Sequence, residues 1–197
     1  MNTNEQKIIF IGLDGETSSL HLENGGRLIQ AGVALNIDGN FKVFNEYISW
    51  PQGMEWDQKA EAVHGIPQSL AQNGRYAQDV DLELSSWLVQ ELGEIPKASL
   101  ISVGWNVAAF DHPFFNHALP ITMSFLNRRA VELNSLCYAE ARKDSYSATN
   151  EDFELLKSKA KAWGVDKLSQ QDIIGHEHDA GYDAALGLMV FNYFNQL

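Results

Sequence analysis

Apolar positions along this chain recur with two periods, and the change from one to the other outlines the fold. Residues 8–13, Ile-Ile-Phe-Ile-Gly-Leu, form a short apolar run that predicts a strand central in a sheet. Residues 17–26 read as a loop closing on Gly25-Gly26. Residues 28–37 and 41–48 predict two further strands around Asp38-Gly39-Asn40, a hairpin signal because Gly and Asn tolerate the positive φ of a tight connection.

Beyond residue 50 the spacing becomes helical. Residues 55–63 predict a short helix stopped at Gly65, with Pro67 just past it. Residues 79–92 predict a second, with Val80, Leu84, Trp87 and Leu88 on one face and Pro96 beyond its end. A fourth strand follows at 100–105, then a helix at 111–118 that tolerates Pro113 in its first turn, and a short strand at 130–133. Residues 151–163 form an amphipathic helix with Phe153, Leu156, Ala160 and Trp163 on one side; Lys157, Lys159 and Lys161 read as its solvated face, with a phosphate contact as the sharper alternative. Residues 179–194 are apolar on nearly every side, as expected of a helix packed across a sheet. Strands first and then strands interleaved with helices give an α/β protein with a mixed sheet covered by helices.

The 197 residues, 45% of them hydrophobic, suit one domain spanning 1–197, with no repeat or linker dividing it. No run is apolar enough to span a bilayer, and Met1-Asn2-Thr3-Asn4-Glu5-Gln6 lacks the layout of a signal peptide, so a cytoplasmic protein is expected. The single Cys137 has no internal partner and reads as a core residue. A net charge of −12 argues against a protein that coats long nucleic acid with a broad basic surface. It leaves room for an enzyme that grips phosphates through bound cations.

Candidate chemistry begins where the first strand runs into acids, Leu13-Asp14-Gly15-Glu16-Thr17. Side chains two apart on a strand share a face, so Asp14 and Glu16 crowd together and repel unless a hard divalent cation takes their oxygens. Asp-Gly is also an ordinary turn, and the pair alone decides little. Asp111 opens a predicted helix, where an N-cap would explain it equally well. Asp183 lies among Ala180, Tyr182, Ala184 and Leu186 in a helix expected to be buried, where a lone carboxylate is costly. His178, just ahead of that helix, is either a loop histidine like His176 or a proton acceptor beside the acids, a role imidazole suits at neutral pH.

Together these residues resemble the DEDDh 3′-to-5′ exonucleases, the DnaQ-like branch of the ribonuclease H fold. The likeness lies in residues 12–20, Gly-Leu-Asp-Gly-Glu-Thr-Ser-Ser-Leu, continuing through 26–33; in Asn106-Val107-Ala108-Ala109-Phe110-Asp111; in His178-Asp179-Ala180-Gly181-Tyr182-Asp183-Ala184; and in Val63-His64-Gly65-Ile66 between the first two. The motifs stand in the family's order over almost the whole chain. Position 179 is aspartate, not the tyrosine of the sister branch, so the histidine branch is the one that fits. Two departures stand out: Gly181, where a larger apolar residue is common, predicts looser helix packing, and Glu132 stands where relatives frequently carry aspartate.

The resemblance implies a ribonuclease H-like five-stranded sheet, three antiparallel strands followed by two parallel ones. It implies two Mg²⁺ (or Mn²⁺) ions, one held by Asp14, Glu16 and Asp183, the second bridged by Asp14 and supported through water by Asp111, with His178 as general base. Its substrate would be a single-stranded DNA or RNA 3′ end, released as nucleoside 5′-monophosphates, with Thr17, Leu20, His64, Asn106 and Phe110 around the terminal nucleotide. Oligoribonuclease-like trimming of short RNA is a rival within the class, and a catalytically silent nucleic-acid-binding module a rival outside it. Trp50 and Trp56, near Pro51, would serve either as a homodimer patch or as local packing.

Overall fold

The computed structural model describes residues 8–143 and 149–196; the opening Met1–Gln6 segment lies outside them. Five strands form one sheet: β1 (Ile9–Thr17), β2 (Leu28–Ile37), β3 (Asn40–Tyr47), β4 (Leu100–Gly104) and β5 (Leu126–Glu132), in the order β3-β2-β1-β4-β5. β1 pairs antiparallel with β2, and β2 with β3, while β4 runs parallel to β1 and β5 parallel to β4. This is a ribonuclease H-like α/β fold. Leu28 to Leu35 of β2 are all buried, because helices cover both faces of the sheet. The β2–β3 connection is the two-residue turn Asp38-Gly39, at φ 51° and 88°.

Eight α-helices and a 3-10 turn at Leu22–Asn24 complete the described chain: α1 (Gln58–His64), α2 (Gln68–Gln72), α3 (Ala77–Leu92), α4 (Asp111–Ala118), α5 (Pro120–Met123), α6 (Leu133–Ala141), α7 (Asn150–Ser169) and α8 (Ala180–Phe194). Alternation along the strands divides the core. Ile11, Leu13, Ala31, Val33 and Leu35 pack with Val80, Leu84 and Leu88 of α3 and with Phe114 and Phe115 of α4. Ala34 of β2 and Val103 of β4 pack with Ala184, Leu188 and Val190 of α8, together with Ala160 and Leu168 of α7.

Glycine decides how closely α8 approaches the sheet. A Cβ on Gly12 of β1 would collide with the Ala184 carbonyl, and one on Gly32 of β2 with the Ala180 carbonyl. With hydrogen at both positions, the helix backbone rests directly on β1 and β2.

Several elements differ from the expectation. β1 runs on to Thr17, so Asp14 and Glu16 lie within the strand, opposite Gly32 and Gln30. β5 begins at Leu126, four residues early, since the exposed Arg128 and Arg129 disguise an edge strand. α7 continues to Ser169 because Gly164 does not stop it: the glycine fits against Leu186, where a Cβ would lie 2.8 Å from Cδ1. The short helices α2, α5 and α6 fall in stretches that predicted none.

Gly181 tightens the packing that it was expected to loosen, since a Cβ there would lie 2.6 Å from the Asn45 Cβ. Trp50 is 5% exposed and packs with Ile29, Ile66 and Ala71, its Nε1 donating to the Glu55 carbonyl at 3.2 Å. Trp56 lies edge-on against both Trp50 and His64. Of the two readings given for the pair, local packing is what Trp50 shows, while Trp56 is half-buried. Cys137 is fully buried.

Candidate active site

Asp14 and Glu16 share the even-numbered face of β1 with Gly12, the face that carries α8. Because Gly12 and Gly32 let α8 lie close, Asp183 in its first turn arrives beside them. The helix start is fastened from below. Asp179 caps α8 by accepting from Tyr182 N at 3.1 Å, and the same carboxylate accepts from Asn45 Nδ2 at 2.9 Å and Gln30 Nε2 at 3.1 Å. The Ala180 N–H donates to Gln30 Oε1 at 3.3 Å. Just outside the cap, His178 adopts the left-handed conformation, φ 66°, and its backbone N–H donates to Asp183 Oδ2 at 2.7 Å. Backbone strain of this kind in a non-glycine residue collects at functional sites.

The opposite wall comes from the turn after β4. Asp111 is the first residue of α4 and is 4% exposed; the N–H groups of Gly15 and of Asp111 itself hydrogen-bond its carboxylate. The next residue anchors the helix, with His112 Nε2 2.7 Å from Ser102 Oγ of β4, both buried. Glu132 fastens the same turn by accepting from Ala108 N at 2.7 Å. The departure noted there thus has a structural use.

Asp14, Glu16, Asp111, His178 and Asp183 all line one cavity of about 410 Å³, together with Trp105, Phe110, Lys157, Lys161 and Glu177. Glu16, His178 and Asp183 each place a ligand atom within 4.8 Å of the other two. A smaller and more apolar cavity of about 270 Å³ adjoins it through Gly15, Glu16 and Phe110, and is walled by Thr17, Leu20, Ala60, Val63 and His64. Leu20 is 64% and Val63 59% exposed, an apolar rim facing solvent. His64 is buried and its Nδ1 accepts from Ile66 N at 2.9 Å; burial lowers its pKa, against Glu61 and a backbone hydrogen bond with Thr17. Four of the five residues expected around the terminal nucleotide thus stand together. Asn106 lines neither cavity: at φ 61° it makes the turn, its carbonyl accepting from Phe110 N at 2.9 Å while its side chain faces solvent.

The acids disturb one another. Burial, then Asp111, Asp183, Glu16 and Asp179, push the Asp14 carboxyl well above the usual range. Burial, then Asp183 and Asp179, push Glu16 up to about 7. Burial also raises Asp111, against the opposing hydrogen bonds from Gly15 and its own N–H, and raises Asp183, against the opposing His178. Such a cluster is unfavourable as bare carboxylates and favourable around hard divalent cations, which prefer oxygen donors and cancel the charge. The donor set therefore fits ions of the Mg²⁺ or Mn²⁺ type.

Sequence reasoning missed Trp105 and Glu177, and read Lys157 and Lys161 as a solvated face with a phosphate contact as the alternative. The signal available was their four-residue spacing, which puts both lysines on one side of α7.

Neither a family model nor a curated protein matches the chain. Solved structures do share its fold. Cell-death related nuclease 4 (CRN-4) superposes with a TM-score of 0.64 at 18% identity, over 97% of this chain and 65% of that one. The nuclease domain of 3′hExo, described as a DEDDh family member bound to rAMP, gives a TM-score of 0.59 at 16% identity, over 98% and 94% of the two chains. Escherichia coli exonuclease I, solved as a complex with single-stranded DNA, gives 0.60 at 16% identity, over 95% of this chain and 42% of that one. At these identities the likeness establishes the fold, and this chain spans less than two thirds of CRN-4 and of exonuclease I.

Proposed function

We propose that this chain is a metal-dependent 3′-to-5′ exonuclease of the DEDDh type, acting on single-stranded nucleic acid ends and releasing nucleoside 5′-monophosphates. The observation that carries the reading is the convergence of Asp14, Glu16, Asp111, Asp183 and His178, drawn from β1, α4, the 170s loop and α8, on one cavity. A binding module has no use for four mutually repelling carboxylates around an imidazole. The proteins of the same fold solved with rAMP and with single-stranded DNA support a nucleotide chain as the ligand.

In this reading Asp14, Glu16 and Asp183 would hold one divalent ion, and Asp14 and Asp111 would serve a second. Bound there, the pair would lower the pKa of an attacking water and neutralise charge on the departing 3′-oxygen. His178 takes the proton of that water. Its backbone N–H bond to Asp183 and its left-handed φ hold the residue at the cavity mouth, where the ring reaches both solvent and acids. The apolar cavity holds the terminal nucleotide: Leu20, Val63 and Phe110 offer faces to a base, and His64 forms part of its wall.

The test is Asp14→Asn in Mg²⁺. Hydrolysis of single-stranded oligonucleotides should disappear in the variant, together with the rise in melting temperature that Mg²⁺ gives the native chain. Full hydrolysis by Asp14→Asn would overturn the assignment.

A further inference from the structure

Three cavities meet end to end across the site. The apolar one shares Gly15, Glu16 and Phe110 with the acid-lined one, and the acid-lined one shares Lys157, Lys161, Glu177 and Leu186 with a third, more open cavity of about 580 Å³. The third continues along α7 and the 170s loop past Ser158, Gly175 and Tyr182. The order is therefore terminal pocket, acids, lysines, open groove.

Lys157 and Lys161 are one helical turn apart, with Nζ atoms 4.9 and 5.7 Å from the centre of the same Trp105 ring. Lys161 Nζ is also 2.8 Å from Glu177 Oε1, in the residue preceding His178. The acids about them already balance these ammonium groups, and an anion lying between them and bound cations would be attracted from both sides. Of the residues lining the acid cavity, these are the two lysines, in a chain of net charge −12.

A strand whose last base fills the apolar pocket and whose last phosphodiester lies on the acids must carry its next phosphate toward the lysines. We propose that Lys157 and Lys161 bind the backbone phosphate on the 5′ side of the scissile one, steered by the Trp105 ring, and that the strand leaves along the α7 groove. This rests on the nuclease reading and deepens it: a substrate with a second phosphate, a trinucleotide or a 5′-phosphorylated dinucleotide, gains a contact that a plain dinucleotide lacks. Glu177 holds Lys161 until that phosphate arrives.

The experiment compares kcat/KM for a trinucleotide and a dinucleotide with the same 3′ residue, in Mg²⁺, for the native chain and for Lys157→Gln/Lys161→Gln. Native protein should prefer the trinucleotide by about 10-fold or more, as charge-assisted phosphate contacts give, and the double variant should lose the preference. The salt dependence of KM on a longer strand should flatten by about 0.7 in log–log slope per lysine removed, while the Mg²⁺-induced rise in melting temperature persists. Lys157→Arg/Lys161→Arg should keep the preference. An unchanged preference in the glutamine variant, or its loss in the arginine variant, overturns the lysine assignment and leaves the nuclease reading standing. Native protein that hydrolyses neither substrate and gains no stability from Mg²⁺ overturns both.

Discussion

His178 is the side chain whose role differs most in kind from its neighbours. In the proposed mechanism the acids hold cations, whereas the His178 imidazole moves a proton. Replacing His178 with alanine should keep the Mg²⁺-induced stabilisation and slow turnover by about 10² to 10⁴, the usual worth of a positioned general base; loss of Mg²⁺ stabilisation would make it a ligand instead. Glu16 carries a separate prediction. Its carboxyl is lifted from an ordinary 4.5 to about 7 by burial and then by Asp183 and Asp179. A carboxyl raised on folding holds its proton more tightly in the native chain, so the metal-free protein loses stability as pH rises between those two values. A divalent cation binds the deprotonated form, so the Mg²⁺ shift in melting temperature should grow from about pH 5 to about pH 7.5. Thermal melts across that range check it, and a Mg²⁺ shift independent of pH would contradict it. That Asp14, Glu16, Asp111, His178 and Asp183 belong together was legible only from the order of the motifs they sit in, since each alone has an ordinary alternative as turn, cap or loop residue. Lys157 and Lys161 stayed ambiguous between a solvated face and a phosphate contact, since a lysine on an amphipathic helix reads the same whether it faces bulk water or a groove.

Among the elements, α8 matters most to the site because it is seated by the absence of side chains beneath it. Gly32→Ala puts a methyl into the Ala180 carbonyl, and with backbone on both sides neither can yield cheaply. The variant should lose about 1–3 kcal/mol of stability, read from denaturant melts, and should bind Mg²⁺ more weakly as Asp183 moves away from Asp14. Unchanged stability would mean that the helix can lift without cost. β2, β3 and α4 were read at close to their true limits because a two-residue turn and a proline-tolerant first turn are chemically marked. β5 was shortened because its arginines face solvent at an edge, and α7 because a glycine that serves helix packing looks like a helix end. The clamp of Asp179 on Gln30 and Asn45 joins residues more than 130 positions apart, and no local pattern announces it.

The whole molecule carries a net charge of −12, with Lys157 and Lys161 of α7 as the lysines at the acid-lined cavity. In the proposed reading, long-range repulsion disfavours long nucleic acids and productive contact is made by an end running from the α7 groove to the apolar pocket. The described residues contain no helix long and apolar enough to cross a membrane. The central proposal is one of direction: the apolar pocket that adjoins the acids would receive a 3′ terminus. It is tested most directly by incubating single-stranded DNA and RNA oligonucleotides, labelled at the 5′ end in one sample and the 3′ end in another, with the protein in Mg²⁺. The 5′ label should remain on a ladder of progressively shorter strands while the 3′ label leaves at once as a nucleoside 5′-monophosphate, and chelation of the metal should stop both. Early release of the 5′ label, internal cuts, or strands that stay intact in Mg²⁺ would contradict the account.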